Sequence, residues 1–253
     1  MTTYPGFGVL LERLVDHRKL DIGQLSVQAE AEESELQAVL NGATPDLELL
    51  RRLAPALGLQ TADLFAVAGM PIPEHLAPLD ATAGRLVPQL VERAVFLPPD
   101  RRSELLRYAR SLPQEDRTVP VRTPRSHEQY QLSFGAVLLH MLANRNLDWV
   151  SSAKVLYLLS GLYVSASTIG GVGHGRVELA RDLLADFAVV LGIRVGDLAA
   201  MAGPAVEVNA RLGEHIQRQH SAGPDMAELI AELRRLSFDQ VRQVGVEAGT
   251  ELR

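Results

Sequence analysis

Residues 164–175 read VSASTIGGVGHG, and the fold turns on whether this stretch is a phosphate-binding loop or a helix. Glycines at 170, 171, 173 and 175, with Arg176 after them, imitate a loop that wraps phosphate. GGVGHGRV at 170–177 has the glycine spacing of such a loop, but Arg176 and Val177 stand where it needs Lys and Ser/Thr. Without the lysine nothing compact reaches the terminal phosphates, and without the hydroxyl nothing anchors Mg²⁺. No strand pattern leads into the segment. The competing reading is a short helix whose start, VSAST, carries a capping hydroxyl. Each glycine inside that helix costs about 1 kcal/mol relative to alanine, so it needs packing to hold it.

The surroundings of this helix occur twice. FGVLLERLVDHRKLD at 7–21 aligns with FGAVLLHMLANRNLD at 134–148, and LGLQTADLFAVAG at 57–69 with LGIRVGDLAAMAG at 191–203. LPPDRRSELLRYARSL at 97–112 matches LSFDQVRQVGVEAGTEL at 236–252 more loosely. The chain therefore reads as two copies of one unit, 1–120 and 127–253, the second with about seven extra residues between its first and fourth helices. In the first copy Leu10, Leu11, Leu14 and Val15 have helical spacing. Leu25, Ala29, Leu36, Val39 and Leu40 continue it as two short helices around Ala31–Glu33. Thr44 and Pro45 read as a helix start, with Asp46 and Glu48 favouring its dipole. Gly69 and Gly203 read as left-handed stops. β-branched residues do not alternate over strand lengths, so the expected class is all-α, two helical bundles each followed by additional helices.

A helix, two short helices about a turn, and a longer helix ending in alanine–glycine resemble the phage repressor/Cro-type helix-turn-helix family, also called XRE. In the first copy the resemblance rests on Leu25, Ser26, Ala29, Ala31, Ser34, Leu36, Val39, Gly42, Pro45, Leu50, Leu53 and Ala54. In the second it rests on Leu158, Leu162, Val164, Ser165, Ser167, Thr168, Ile169, Val172, Gly175, Leu184, Phe187 and Ala188. It covers about 65 residues in each half. The resemblance implies that the third helix of each unit enters the major groove with its first residues on base edges. Carried over, Ser165, Ala166, Ser167 and Thr168 are the readers of the second unit, and Arg176 is a phosphate contact. The first unit departs from the pattern: EAEESELQAVLNG at 30–42 puts Glu30, Glu32, Glu33 and Glu35 at the end meant for DNA. Each carboxylate within ~6 Å of a phosphate costs roughly 0.5–1 kcal/mol even in water. Gln28, Ser34, Gln37 and Asn41 remain as its DNA-contacting candidates. Both copies lack the glutamine that many members place early in the second helix; Ile22 and Trp149 occupy that region.

Composition sets the outer limits. At 47% hydrophobic and 22% charged residues the chain has the balance of a globular protein. A net charge of −6 gives no overall attraction to nucleic acid, although residues 100–125 carry seven arginines that offer a backbone-binding surface. The chain has no cysteine, which excludes disulfides and suits a reducing cytoplasm. The start, MTTYPGFG, shows no signal peptide, and the longest apolar run, 155–164, is about half of what spans a bilayer. The histidines at 17, 75, 127, 140, 174, 215 and 220 show no chelating spacing, His174 reads as a helix-end residue, and Trp149 reads as core. No nucleophile elbow or acid–base pair stands out, so neither an enzyme nor a cofactor is expected.

Two functions compete at this stage. One is a cytoplasmic transcriptional regulator that binds double-stranded DNA as a tandem pseudo-dimer, its reading helices about 34 Å apart. The other is a helix-turn-helix scaffold for protein–protein interaction, as a homodimer or with a regulatory partner. The amphipathic segments at 83–97 and 226–236 would then form the interface. A ligand sensor, with the insertion around 149–163 lining a pocket, is a third reading.

Overall fold

The computed structural model describes residues 4–203 and 222–250. Among them there is no strand. The first half runs α1 (Phe7–Arg18), α2 (Ile22–Gln28), α3 (Glu33–Leu40), α4 (Leu47–Ala56), α5 (Thr61–Val67), α6 (Val87–Ala94) and α7 (Pro99–Ser111). The second half repeats that order with α8 (Phe134–Asn144), α9 (Trp149–Ser160), α10 (Ala166–Gly173), α11 (Arg181–Leu191), α12 (Val195–Ala202), α13 (Gly223–Leu233) and α14 (Phe238–Thr250). The extra residues of the second copy go largely into its second helix, since α9 has 12 residues where α2 has 7. Among the described residues no helix is long and apolar enough to cross a membrane.

Side chains at the helix ends set these boundaries. The Asp46 carboxylate accepts from the Leu49 amide at 2.7 Å, so α4 starts behind Asp46 and not at Thr44–Pro45 as its sequence suggests. A charged acceptor at the positive end of the helix dipole is a stronger cap than the neutral hydroxyl two residues earlier. Ser165 caps α10 through the Thr168 amide at 3.1 Å. Gly69 ends its helix at φ +66, within the left-handed region. Gly203, expected to do the same, has φ 98 and ψ 178, an extended exit and not a left-handed cap.

The first and third helices of each unit meet through a glycine. A Cβ on Gly8 would lie 2.3 Å from the Val39 carbonyl oxygen, and one on Gly135 would lie 2.2 Å from that of Val172. Only a hydrogen side chain permits this approach, and both copies use it at corresponding positions.

The two halves interlock reciprocally: α1 packs on α12 and α8 packs on α5. Likewise α6 packs on α14, and α7 on α13. One continuous apolar core takes residues from both halves, among them Leu10, Leu53, Phe65, Leu142, Phe187 and Leu229. The segments 83–97 and 226–236, expected to offer apolar faces to a partner, bury them here instead: Leu90 and Val91 on α6 and Leu229 and Ile230 on α13 are all within the core. Amphipathicity marks a face that must be covered, and the other half of the same chain covers it.

At each reciprocal contact an arginine ending the first helix of one unit clamps an aspartate in the first turn of the other unit's fifth helix. Arg145 donates from Nη1 to Asp63 Oδ1 at 2.9 Å and from Nη2 to Oδ2 at 2.7 Å. It also reaches the carbonyls of Met141 at 2.9 Å and Leu191 at 2.6 Å. Asn144 adds a bond to Asp63 at 3.1 Å. In the mirror contact Arg18 donates from Nε and Nη2 to Asp197 at 3.0 and 2.7 Å, and from Nη1 to the Leu57 carbonyl at 2.7 Å. Burial pushes the Asp197 carboxyl up, but hydrogen bonds and charge from Arg18 and Arg194 outweigh it and hold the group below its ordinary range. Both aspartates sit at the positive end of a helix and both arginines at a negative end, so the dipoles reinforce each pair.

The Asp63 and Arg145 side chains are 0% and 2% exposed, whereas Arg18 is 12% exposed. Asp63→Ala leaves a buried guanidinium uncompensated and should cost about 3–5 kcal/mol in urea unfolding. Asp197→Ala should cost clearly less, because Arg18 reaches water. Equal losses would refute the difference in burial drawn here.

Candidate nucleic-acid interface

α9, the turn at 161–165 and α10 form the segment expected to carry the second helix-turn-helix. Gly161, at φ 76, closes α9 and releases the chain into the turn. α10 then lies on α8 and α9, with Ile169 and Val172 pointing into the core. The glycines that weaken this helix are what let it pack. A Cβ on Gly170 would come within 2.4 Å of the Trp149 ring, and one on Gly173 within 2.6 Å of the Tyr130 ring. Trp149, expected in the core, is half-buried: its ring covers Gly170 and its Nε1 donates to the Tyr130 hydroxyl at 2.6 Å. Tyr130 arrives from the connector between the halves, and His174 Nε2 lies 2.9 Å from the carbonyl oxygen of His127 on that same connector.

This packing leaves the opposite end of α10 to solvent. Ser165 and Ser167 are exposed, while Ala166 and Thr168 are half-buried. Their hydroxyls cluster, with Ser165 Oγ 2.7 Å from Ser167 Oγ and 2.9 Å from Thr168 Oγ1. The structure thus brings the four expected readers together on one uncharged tip. Arg176 is exposed in the loop behind α10, and Lys154 is exposed on α9. Beside them Tyr157 and Tyr163 stand exposed, their rings edge to face with centroids 6.1 Å apart.

The first unit presents different chemistry from the same framework. Gln28, Ser34, Gln37 and Asn41 are all exposed, and the Ser34 hydroxyl donates to Glu32 at 3.3 Å. Arg52 on α4 binds the Glu35 carboxylate at 3.2 Å and the Glu30 carbonyl, bracing a residue that adopts φ 50. Glu30, Glu32 and Glu33 remain exposed at the tip.

Of the arginines of 100–125, expected as a binding surface, Arg102 is buried and Arg117 half-buried, while Arg101, Arg107, Arg110, Arg122 and Arg125 are exposed, several of them in ion pairs. Arg102 is buried and donates to Asp225 at 2.7 Å and to the Leu97 carbonyl at 2.6 Å. Arg110 bonds Glu228, tying α7 to α13 alongside it. Arg117 holds the carbonyls of Glu74, Ala77, Pro78 and Leu79 at 2.9–3.0 Å, and Arg122 pairs with Glu128. A guanidinium's several donors make it a brace for carbonyl clusters as readily as a phosphate ligand, and composition does not distinguish the two. His215 and His220 lie outside the described residues. Among the described residues no cluster of three or more His, Asp or Glu side chains is placed to hold a metal ion.

Sequence reasoning missed the two clamps and the Tyr130 contact. The repeat did hold a signal for the clamps, because Arg18 aligns with Arg145 and Asp63 with Asp197. Tyr130 lies in the connector, where no repeat or periodicity marks a residue.

Asp186 on α11 is buried beside Ser160, the last residue of α9. Burial and the nearby Asp182 charge push its carboxyl up to about 6, against a lowering bond from Ser160. Because the folded value lies above the unfolded one, its stability contribution is present in acid and lost as pH rises through about 6. Asp186→Asn should therefore stabilise the fold at pH 8 by about 2–3 kcal/mol and change it little at pH 4 in thermal melts. An equal gain at both pH values would exclude a charged Asp186 as the cause. No family model, curated protein or solved structure matches the chain.

Proposed function

We propose that the chain is a cytoplasmic transcriptional regulator that binds double-stranded DNA through its second helix-turn-helix, with the first unit serving as its two-fold packing partner. The observation that carries this reading is the contrast between the two tips. Ser165, Ser167 and Thr168 form a small, uncharged, hydroxyl-bearing end on a firmly backed helix, with Lys154 exposed on α9 and Arg176 exposed in the loop after α10. Hydroxyls accept from and donate to several bases, and an uncharged tip meets the groove without like-charge repulsion. The first unit's tip carries exposed Glu30, Glu32 and Glu33, which repel a phosphate backbone. With Arg102 and Arg117 committed to internal bonds and Arg110 and Arg122 paired with carboxylates, phosphate contacts are few. The expected affinity is accordingly modest and the bound site asymmetric.

A second reading, a scaffold for protein partners, draws on the exposed Val150, Tyr157 and Tyr163 of α9 and the turn after it. Aromatic side chains of this kind are enriched where proteins meet.

Fluorescence anisotropy with mixed genomic duplex fragments, taken through a salt series, separates the two. A DNA binder weakens steeply with salt, and Arg176→Ala flattens the log–log slope by about one. Ser167→Glu should weaken binding at least tenfold, while Gln37→Glu on the first unit should leave it unchanged. Absence of binding at low salt would overturn the DNA reading. Self-association abolished by Tyr163→Ser would then favour the scaffold.

A further inference from the structure

Where the connector meets the second unit, the chain forms a solvent-open pocket of about 370 Å³. That volume lies at the small end of ligand sites, which span about 300–1,000 Å³. Three segments wall it: the 3₁₀ turn at Ala81–Leu86, the connector at 122–130 and the α8–α9 corner from Leu139 to Trp149. Leu139 and Leu147, both buried, give it an apolar floor, and Tyr130 and Trp149 give it an aromatic wall. Arg85, Arg122 and Arg125 line it as exposed side chains and so stand at its rim.

The charge at that rim is positive in balance. Arg122 is paired with Glu128, and Asp148 spends its carboxylate on the Ser151 amide at the start of α9. The Arg85 guanidinium lies 4.8 Å from the centroid of the Phe238 ring, a contact that leaves its charge in place. Tyr130 accepts from Trp149, which leaves its own proton to donate. Burial raises the Tyr130 phenol above its ordinary value, so that proton stays on at neutral pH.

We propose that this pocket binds a small aromatic carboxylate, its ring on the Leu139–Leu147 floor against Tyr130 and Trp149 and its carboxylate toward the arginine rim. A surplus of about one positive charge and a single phenolic donor suit a monoanion, and the apolar floor suits a ring. An occupant touches the two rings that back Gly170 and Gly173, so the site adjoins the second helix-turn-helix directly. The site does not depend on whether the chain binds DNA.

Trp149 is the single tryptophan of the sequence, so its fluorescence reports on this wall alone. The full-length protein is titrated with benzoate at constant ionic strength, and with inorganic phosphate and benzyl alcohol in parallel. Benzoate should give a saturable change, with phosphate and benzyl alcohol each at least tenfold weaker. Arg125→Ala should weaken benzoate several-fold. Ala143→Leu, at an exposed α8 position lining the pocket, should fill the space and abolish binding while the thermal melt stays in place. A non-saturable benzoate response, phosphate or benzyl alcohol matching benzoate, or unchanged binding in Ala143→Leu would each overturn the proposal.

Discussion

The buried pair of Arg145 and Asp63 is the interaction on which the rest of this structure depends. Two charges taken out of water are costly, and their mutual attraction repays that cost only with near-complete hydrogen bonding. Here the carboxylate is met by both terminal nitrogens of Arg145 and by Asn144, and the guanidinium also meets two carbonyls. Arg145 Nε and Asn144 Oδ1 stay unbonded. Such a pair adds little net stability over a well-packed apolar substitute, yet it penalises any arrangement that separates its members. Because one member belongs to each half, it opposes every packing in which the halves part or slide.

The same contact occurs twice, and its reciprocity has a structural meaning. When helix 1 of each unit meets helix 5 of the other, the surface is self-complementary, as across the two-fold axis of a homodimer. Here the two partners are covalently joined. The interior has kept the symmetry: Arg18 and Arg145, Asp63 and Asp197, Gly8 and Gly135 hold equivalent places, and Lys19 and Asn146 share φ values of 54 and 60. The exterior has not. One third helix ends in carboxylates and the other in hydroxyls, and only the second is backed by Tyr130 and Trp149. A shared core constrains buried residues in pairs, while surface residues change one copy at a time.

Much of this was legible from the residues. The phosphate-loop reading of 164–175 fails on Arg176 and Val177, and the helix that replaces it has its cap where the residue types put it. The α4 start was misread by two residues because Thr44–Pro45 and Asp46 are both good caps, and the choice rests on which carboxylate or hydroxyl meets the Leu49 amide. Three of the arginines of 100–125, Arg102, Arg110 and Arg117, were misread for a different reason. Their charge is a property of composition, but their partners, Asp225, Glu228 and the carbonyls around 74–79, come from distant parts of the chain.

The chain's local chemistry was enough to determine that it is helical, that its unit is repeated, and which ends of the third helices carry acid or hydroxyl. These follow from spacing, capping and side-chain type, which act within a few residues. Only the tertiary structure decided that each unit's first helix clamps the other's fifth, that Gly170 and Gly173 strengthen α10 by admitting aromatic rings, and that the amphipathic segments are spent internally. Each of those depends on which surfaces meet between segments apart in the chain, from Trp149 against Gly170 to Arg18 against Asp197, and such contacts leave no periodicity in the sequence to read.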